Sequence, residues 1–163
     1  MITQAELKSQ LHYDAESGIF TRIVSNSNKV QVGDIAGFPD KNGYIIIAVF
    51  GKQYRAHRLA WLYVTGHWPK DQIDHVNGIS GDNRLVNIRD CTQYENILNQ
   101  GLKKSNNSGY KGVSYFKRDG TWMAMGRAFG ERYFLGYHIT PQLASKSYQE
   151  FAKEYHGEFF KEA

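Results

Sequence analysis

Asp74 and His75 stand side by side in a chain of 163 residues, and Asn96 follows twenty-one positions after the histidine. A histidine can take a proton from water near neutral pH. A carboxylate and an amide offer hard oxygen donors to a divalent cation, which neutralises a pentavalent phosphate and its leaving 3′-oxygen. A base, oxygen ligands and a stabilised phosphate are what phosphodiester hydrolysis requires. An Asp-His pair by itself is usually a capping or turn feature, so the surrounding pattern has to decide.

The elements around these residues are legible. Adjacent strand residues face opposite ways, so Asp74 and His75 cannot line one face of a regular strand. The strand Gln72-Ile73-Asp74-His75 must bend or end there, and Asn77-Gly78 supplies the break. A polar loop, Asn77 to Arg84, follows, then a strand-like stretch from Leu85 to Cys91 and a helix from about Gln93 to Gln100. Upstream, Gly18 to Phe50 is strand-like and turn-rich, with IFT, VQVGDIAG and, after the hairpin cue Asn42-Gly43, YIIIAVF. Arg55 to Val64 predicts a helix with Leu59, Leu62 and Tyr63 on one face, stopped by Gly66 and Pro69.

Residues 101–108 (GLKKSNNS) have the composition of a linker. Three short strands are predicted after it, at Gly112–Lys117, Thr121–Ala128 and Arg132–Tyr137, with turns at Asp119-Gly120 and Gly130. Thr140-Pro141 then opens a helix with an N-cap and a proline at the first helical position. Ala144, Tyr148, Phe151, Ala152 and Tyr155 share its apolar face, and Gly157 closes it. Some 55 residues is near the lower size limit for independent folding.

Composition narrows the class. A single cysteine, Cys91, excludes an internal disulfide and any zinc site of paired cysteines. No apolar run approaches a membrane span, and MITQAELKSQ lacks a signal-peptide pattern; a cytoplasmic protein is expected, in the host cytoplasm if phage-encoded, with no membrane partner. The net charge is +4, from 20 basic and 16 acidic residues. Residues 1–98 carry ten Lys/Arg and ten Asp/Glu, so the whole excess lies beyond residue 98. Lys103 to Arg132 alone holds seven basic residues against Asp119 and Glu131. A basic block beside a neutral one suggests a polyanion-binding part attached to a part with another task; a merely solvated face is the alternative.

The stretch AHRLAWLYVTGHWP-KDQIDHVNGISGDNRLVNIRDCTQYENILNQ resembles the HNH (ββα-metal) endonucleases, in the branch found in phages and intron-borne homing enzymes. The match covers about 45 residues: a His-Arg-Leu helix, an Asp-His-x-Asn-Gly strand end, an Asp-Asn-Arg-Leu-x-Asn strand and an x-Asn-x-x-Asn helix. The resemblance implies His75 as general base, Asp74 as a metal ligand, Asn87 as the asparagine that braces the loop, and Asn96 as the second metal ligand. It implies one Mg²⁺ (or Mn²⁺), no zinc, and products with 5′-phosphate and 3′-hydroxyl ends. Ile88 stands where leucine is usual. His57 reads as a packed helix histidine rather than a catalytic one. Arg84 and Arg89 either grip phosphates or are strand-surface cations.

The stretch from Ser108 to Phe160 resembles the AP2 domain: Gly-Val on the first strand, Trp122 with Ala124 on the second, and Leu-Gly-Tyr ending the third. In that family the sheet lies in the DNA major groove and the helix packs behind it. Period two places Met123, Met125 and Arg127 outward if Trp122, Ala124 and Gly126 face the helix. Arg132, Phe134 and Tyr137 would join them, while Lys111, Ser114 and Phe116 occupy family contact positions and Lys103 and Lys104 lie in the linker. Several of these positions are basic in the family, which leaves open packing against the other domain instead of base reading.

The reading is an α+β chain. A nuclease domain (1–100) has a ββα-metal core preceded by short strands and a helix. A linker (101–108) joins it to a DNA-binding domain (109–163), a small three-stranded antiparallel sheet packed on one helix. The expected partner is double-stranded DNA, nicked or cut on both strands by a monomer or homodimer; the alternative is a DNA-binding protein with an inactive HNH fold. Removing residues 103–163 is expected to weaken DNA binding and flatten its dependence on salt, because fewer counterions are released. Affinity against salt for full-length and shortened protein checks this; equal slopes would contradict it.

Overall fold

Thr3 starts the first helix by a reciprocal cap. Its hydroxyl accepts from the Glu6 backbone N–H at 3.2 Å while the Glu6 carboxylate accepts from the Thr3 backbone at 2.8 Å. In the computed structural model, which describes residues 1–25, 29–103 and 105–160, the chain divides into two units, Met1–Asn96 and Ile97–Ala163.

In the first unit α1 (Gln4–Lys8) leads into an antiparallel hairpin, β1 (Leu11–Asp14) with β2 (Ile19–Arg22). Leu11 and Tyr13 alternate inward with period two and join Phe20 in the core. The Asp14 carboxylate organises the turn, accepting from the Glu16 backbone at 3.0 Å and the Ser17 hydroxyl at 2.7 Å. A three-stranded sheet follows, β3 (Phe38–Pro39), β4 (Ile45–Val49) and β5 (Lys52–Arg55), with β4 central. The Asn42-Gly43 cue is a hairpin turn: Gly43 has φ +83°, and Asp40 Oδ1 accepts from the backbones of Asn42 and Tyr44. Then α2 (Ala56–Thr65) lays Leu59 and Leu62 on Ile47, Leu7, Leu11 and Phe20, and Gly66 ends it in the left-handed conformation.

The remaining elements of this unit are β6 (Gln72–His75), antiparallel to β7 (Ile88–Cys91) with Asp74 opposite Arg89 and His75 opposite Ile88, and then α3 (Gln93–Asn99). Two expectations differ. Residues 30–37 form turns and isolated bridges, such as Thr21 to Ile35, rather than a strand. Asp34 Oδ2 accepts from the Gln31 backbone and Gly33 N–H donates to the Arg22 carbonyl, which bends the chain back. The strand expected from Leu85 begins only at Ile88, because Leu85–Asn87 is a 3-10 turn held by side-chain bonds of Asn87.

The second unit is a three-stranded antiparallel sheet, β8 (Val113–Phe116), β9 (Thr121–Ala128) and β10 (Glu131–His138), with β9 central, backed by α4 (Pro141–His156). Thr140 caps α4 by accepting from Leu143 N–H. Ala124 and Ala128 are fully buried, and Ala144, Phe151 and Ala152 are the buried apolar residues of the helix. The opposite sheet face aligns Arg127 with Arg132 and Met125 with Phe134. A bulge at Leu135 shifts the register by one and brings Tyr137 opposite Met123. Among the described residues no helix is long and apolar enough to cross a membrane.

Gly126 is a tight point of this packing, since a Cβ there would lie 2.4 Å from the Phe151 ring. Gly126→Ala is expected to destabilise the second unit by about 1–3 kcal/mol through overpacking. Urea unfolding followed by a probe in that unit checks it, and wild-type stability would contradict it.

Candidate active site

His75 is the last residue of β6 and is almost wholly buried. The chain turns immediately afterwards, Gly78 N–H donating to the His75 carbonyl at 2.8 Å. The loop beyond is braced from within. Asn87 Oδ1 accepts from the Asn77 backbone at 3.0 Å, and Asn87 Nδ2 donates to the Asp82 carbonyl at 2.7 Å. Asn77 Nδ2 donates to the Asp82 carboxylate at 2.7 Å, and Arg84 grips that carboxylate through Nε and Nη2. The Arg84 bonds hold the Asp82 carboxyl well below the usual carboxylate range.

This closed loop delivers Asn83 to the imidazole. Asn83 is buried, with Oδ1 3.2 Å from His75 Nε2 and Nδ2 3.4 Å from the Gly81 carbonyl. A carbonyl partner requires the amide NH₂, so the oxygen faces His75 and Nε2 must carry the hydrogen. The lone pair then belongs to Nδ1. Burial lowers the affinity of His75 for a second proton, against the opposing pull of the Asn83 bond and of Asp74 and Asp82. Neutral imidazole with a fixed lone pair is the form that can accept a proton.

Two more rings confine it. His57, on α2, meets His75 edge-on at 5.0 Å between centroids, and Tyr44 lies 5.4 Å from His57 and 6.0 Å from His75. The Arg55 guanidinium covers the Tyr44 ring at 4.4 Å. His57 is 3% exposed, and its Nδ1 has no hydrogen-bond partner among the described residues. Burial first, and then the neighbouring His75, push its pKa down to about 3.

Asp74 is turned to other partners. Its Oδ2 accepts from Arg89 Nε at 2.9 Å and Nη2 at 2.8 Å, across the β6–β7 pair. Gln72 shares its face of β6 by strand periodicity, and Asn96 Nδ2 donates to Gln72 Oε1 at 2.6 Å. Asn96 therefore reaches the side of the strand that carries Asp74, while the partners of His75 come from α2, Tyr44 and the 77–84 loop. Asp74 carries a carboxylate and Asn96 an amide oxygen. Two hard donors suit a small cation that keeps several waters, and among the described residues no cluster of three His, Cys, Asp or Glu side chains forms a fuller cage.

The other expected residues fall in various places. Arg84 is half exposed but tied to Asp82, and Arg89 is tied to Asp74, so neither is a simple surface cation. Lys111 Nζ donates to the Leu98 carbonyl at 3.2 Å. Ser114, Arg127, Arg132, Phe134 and Tyr137 are exposed, whereas Phe116 and Met125 are half-buried. Phe116 and Phe134 pack on Tyr137 at 5.2 and 5.0 Å. Lys103 is exposed, and Lys104 lies outside the described residues. Asn83 and Tyr44 were not anticipated. The only available signal for Asn83 was the Asp-Asn-Arg run itself, which carries no periodicity that points at His75.

A family described as HNH endonuclease matches residues 54–98. Protein 3.8 of Escherichia phage T7 is 32% identical over 111 residues, which cover 68% of this chain and 91% of the relative. A solved structure reported as DNA binding and cleavage by the HNH homing endonuclease I-HmuI aligns with a TM-score of 0.43 and 24% identity, over 56% of this chain. The chain spans about half the length of that structure (51%).

Buried, neutral His57 has a thermodynamic consequence. Its folded-state pKa is about 3, whereas an unfolded histidine titrates near ~6.5. Between those values the unfolded chain binds a proton that the folded chain refuses. Stability is therefore full above ~6.5 and falls as the pH drops, by at most about 1.4 kcal/mol per pH unit from this group. His57→Phe is expected to flatten the loss of thermal stability between roughly pH 6.5 and 4.5, a window above ordinary carboxylate titration. An unchanged pH slope would contradict it.

Proposed function

The chain belongs to the HNH endonuclease family, and from that premise we propose that it is a metal-dependent DNA endonuclease in which His75 is the general base. The observation that carries the proposal is the His75–Asn83 hydrogen bond, which assigns the lone pair of a buried, neutral imidazole to Nδ1. Nδ1 takes a proton from the attacking water, whose oxygen forms a bond to the scissile phosphorus as the bond to the 3′-oxygen breaks. The leaving 3′-oxygen takes a proton from solvent water, so the products carry a 5′-phosphate and a 3′-hydroxyl. Asn87 braces the loop that carries Asn83, through its bonds to Asn77 and Asp82.

Asp74 and Asn96 would hold one Mg²⁺ or Mn²⁺, whose charge stabilises the phosphate and the leaving oxygen when bound. The donor set fits a hard cation, with Arg89 as the resident counter-charge on Asp74. That ion pair also favours a second reading, a DNA-binding protein in which Arg89 blocks an inactive HNH site. Arg89→Ala separates the two, since it restores cleavage only if the pair is a block.

The remaining assignments rest on the same reading. Residues 1–100 are the nuclease domain, 101–108 the linker and 109–163 an AP2-like domain on double-stranded DNA, in a monomer or homodimer. The opposed Arg127 and Arg132 and the Phe116, Phe134 and Tyr137 cluster are its support.

His75→Ala is expected to slow cleavage by roughly 10²–10⁴-fold with DNA affinity nearly unchanged. Chelator is expected to abolish cleavage, and Asp74→Ala or Asn96→Ala to raise the Mg²⁺ needed to restore it. Wild-type cleavage by His75→Ala, or cleavage that persists in EDTA, would overturn the proposal.

A further inference from the structure

The N-terminal hairpin lies entirely outside the segment matched by the family, residues 54–98, yet three of its contacts converge on the backbone that carries Asn83. The Tyr13 hydroxyl donates to the Asn83 carbonyl at 2.7 Å and is buried. Leu85 N–H donates to the Ala15 carbonyl at 3.0 Å. Between them Gly18 passes so close that a Cβ would stand 2.4 Å from Arg84 N and 2.5 Å from the Asn83 carbonyl carbon, and its φ of +74° excludes an ordinary side chain as well. Tyr13 is held in turn by Phe20 at 4.7 Å and Tyr63 at 5.7 Å between centroids, in the first unit's core.

We propose that this hairpin is a strut for the active site and that Tyr13 is a positioning residue, acting through the Asn83 backbone on the tautomer and orientation of His75. The inference rests on the reading of His75 as the base. Asn83 has one side-chain oxygen with which to select the Nε2–H tautomer, and the bond is already long at 3.2 Å. A shift of the Asn83 backbone by a few tenths of an ångström weakens it past useful hydrogen-bond range. The loop's internal bonds, through Asn77, Asp82, Arg84 and Asn87, fix its shape but leave its distance from the core to be set from outside. The hairpin supplies that reference, with the hydroxyl on one side and the bare Cα of Gly18 on the other. Burial pushes the Tyr13 hydroxyl pKa up to about 12, so it stays a donor over the whole working range.

The test uses the full chain and two readouts. Tyr13→Phe keeps the ring in the core and deletes only the donor. It is expected to lower kcat for plasmid cleavage by about tenfold with KM within a factor of about two. In metal-free, DNA-free protein its imidazole ¹⁵N shifts for His75 are expected to move from the pure Nε2–H pattern towards a tautomer mixture. Because Tyr13 acts through Asn83, Tyr13→Phe combined with Asn83→Ala is expected to be no slower than Asn83→Ala alone. Wild-type kcat and ¹⁵N shifts in Tyr13→Phe would overturn the strut, and so would multiplicative losses in the double variant. Should His75→Ala cleave normally, the base assignment fails, and the ¹⁵N pattern in Tyr13→Phe still decides whether the hairpin sets the tautomer. If Tyr13→Phe fails to fold, 4-fluorophenylalanine at position 13, which fills the place of the hydroxyl without donating, replaces it with the same two readouts and the same overturning results.

Discussion

An imidazole has two nitrogens, and the hydrogen bond made by one decides which of them keeps a lone pair. In this chain that choice falls to Asn83, whose amide is oriented by the Gly81 carbonyl so that its oxygen meets His75 Nε2. Much of the first unit can be understood as the apparatus that brings this one oxygen to this one nitrogen. β6 and β7 place His75 at a strand end, Asn87 folds the loop back between them, and the hairpin β1–β2 fixes how far the loop stands from the core. Tyr44 and His57 pack against the ring, and its burial favours the neutral form.

The opposite side of β6 poses an electrostatic problem. Asp74 is 4% exposed, and a carboxylate that deep requires an opposite charge or several donors. Arg89, its direct cross-strand neighbour, supplies both charge and a two-pronged contact. In the proposed mechanism Asp74 would also be a cation ligand, so the ion pair and the cation would compete for one group. A protein that keeps its acid paired until substrate and cation arrive avoids a bare buried charge in the free state.

Local chemistry explains what could be read from the sequence. Asn42-Gly43, Thr140-Pro141 and the alternation of Trp122, Ala124 and Gly126 each act over a few residues, and each gives the expected turn, cap or buried face. The Asp-His…Asn spacing pointed to β6 and α3 for the same reason. What escaped depended on distance along the chain. Tyr13 meets Asn83 across seventy positions, and no period or motif links them. The apolar VQVGDIAG stretch looked like a strand, but Asp34 and Gly33 turn it back on itself, and tertiary hydrogen bonds overrode propensity.

The second unit is a different kind of object, a small sheet whose outer face combines paired arginines with clustered aromatic rings. It holds none of the groups assigned to bond cleavage. The central claim, however, is hydrolysis, and product chemistry tests it most directly. Supercoiled plasmid incubated with the protein and Mg²⁺ is predicted to become nicked or linear. Its ends should be resealed by DNA ligase without prior treatment, as 5′-phosphate and 3′-hydroxyl termini require. Plasmid that is bound but remains supercoiled in both Mg²⁺ and Mn²⁺ would contradict the account and leave a DNA-binding protein with a silent site.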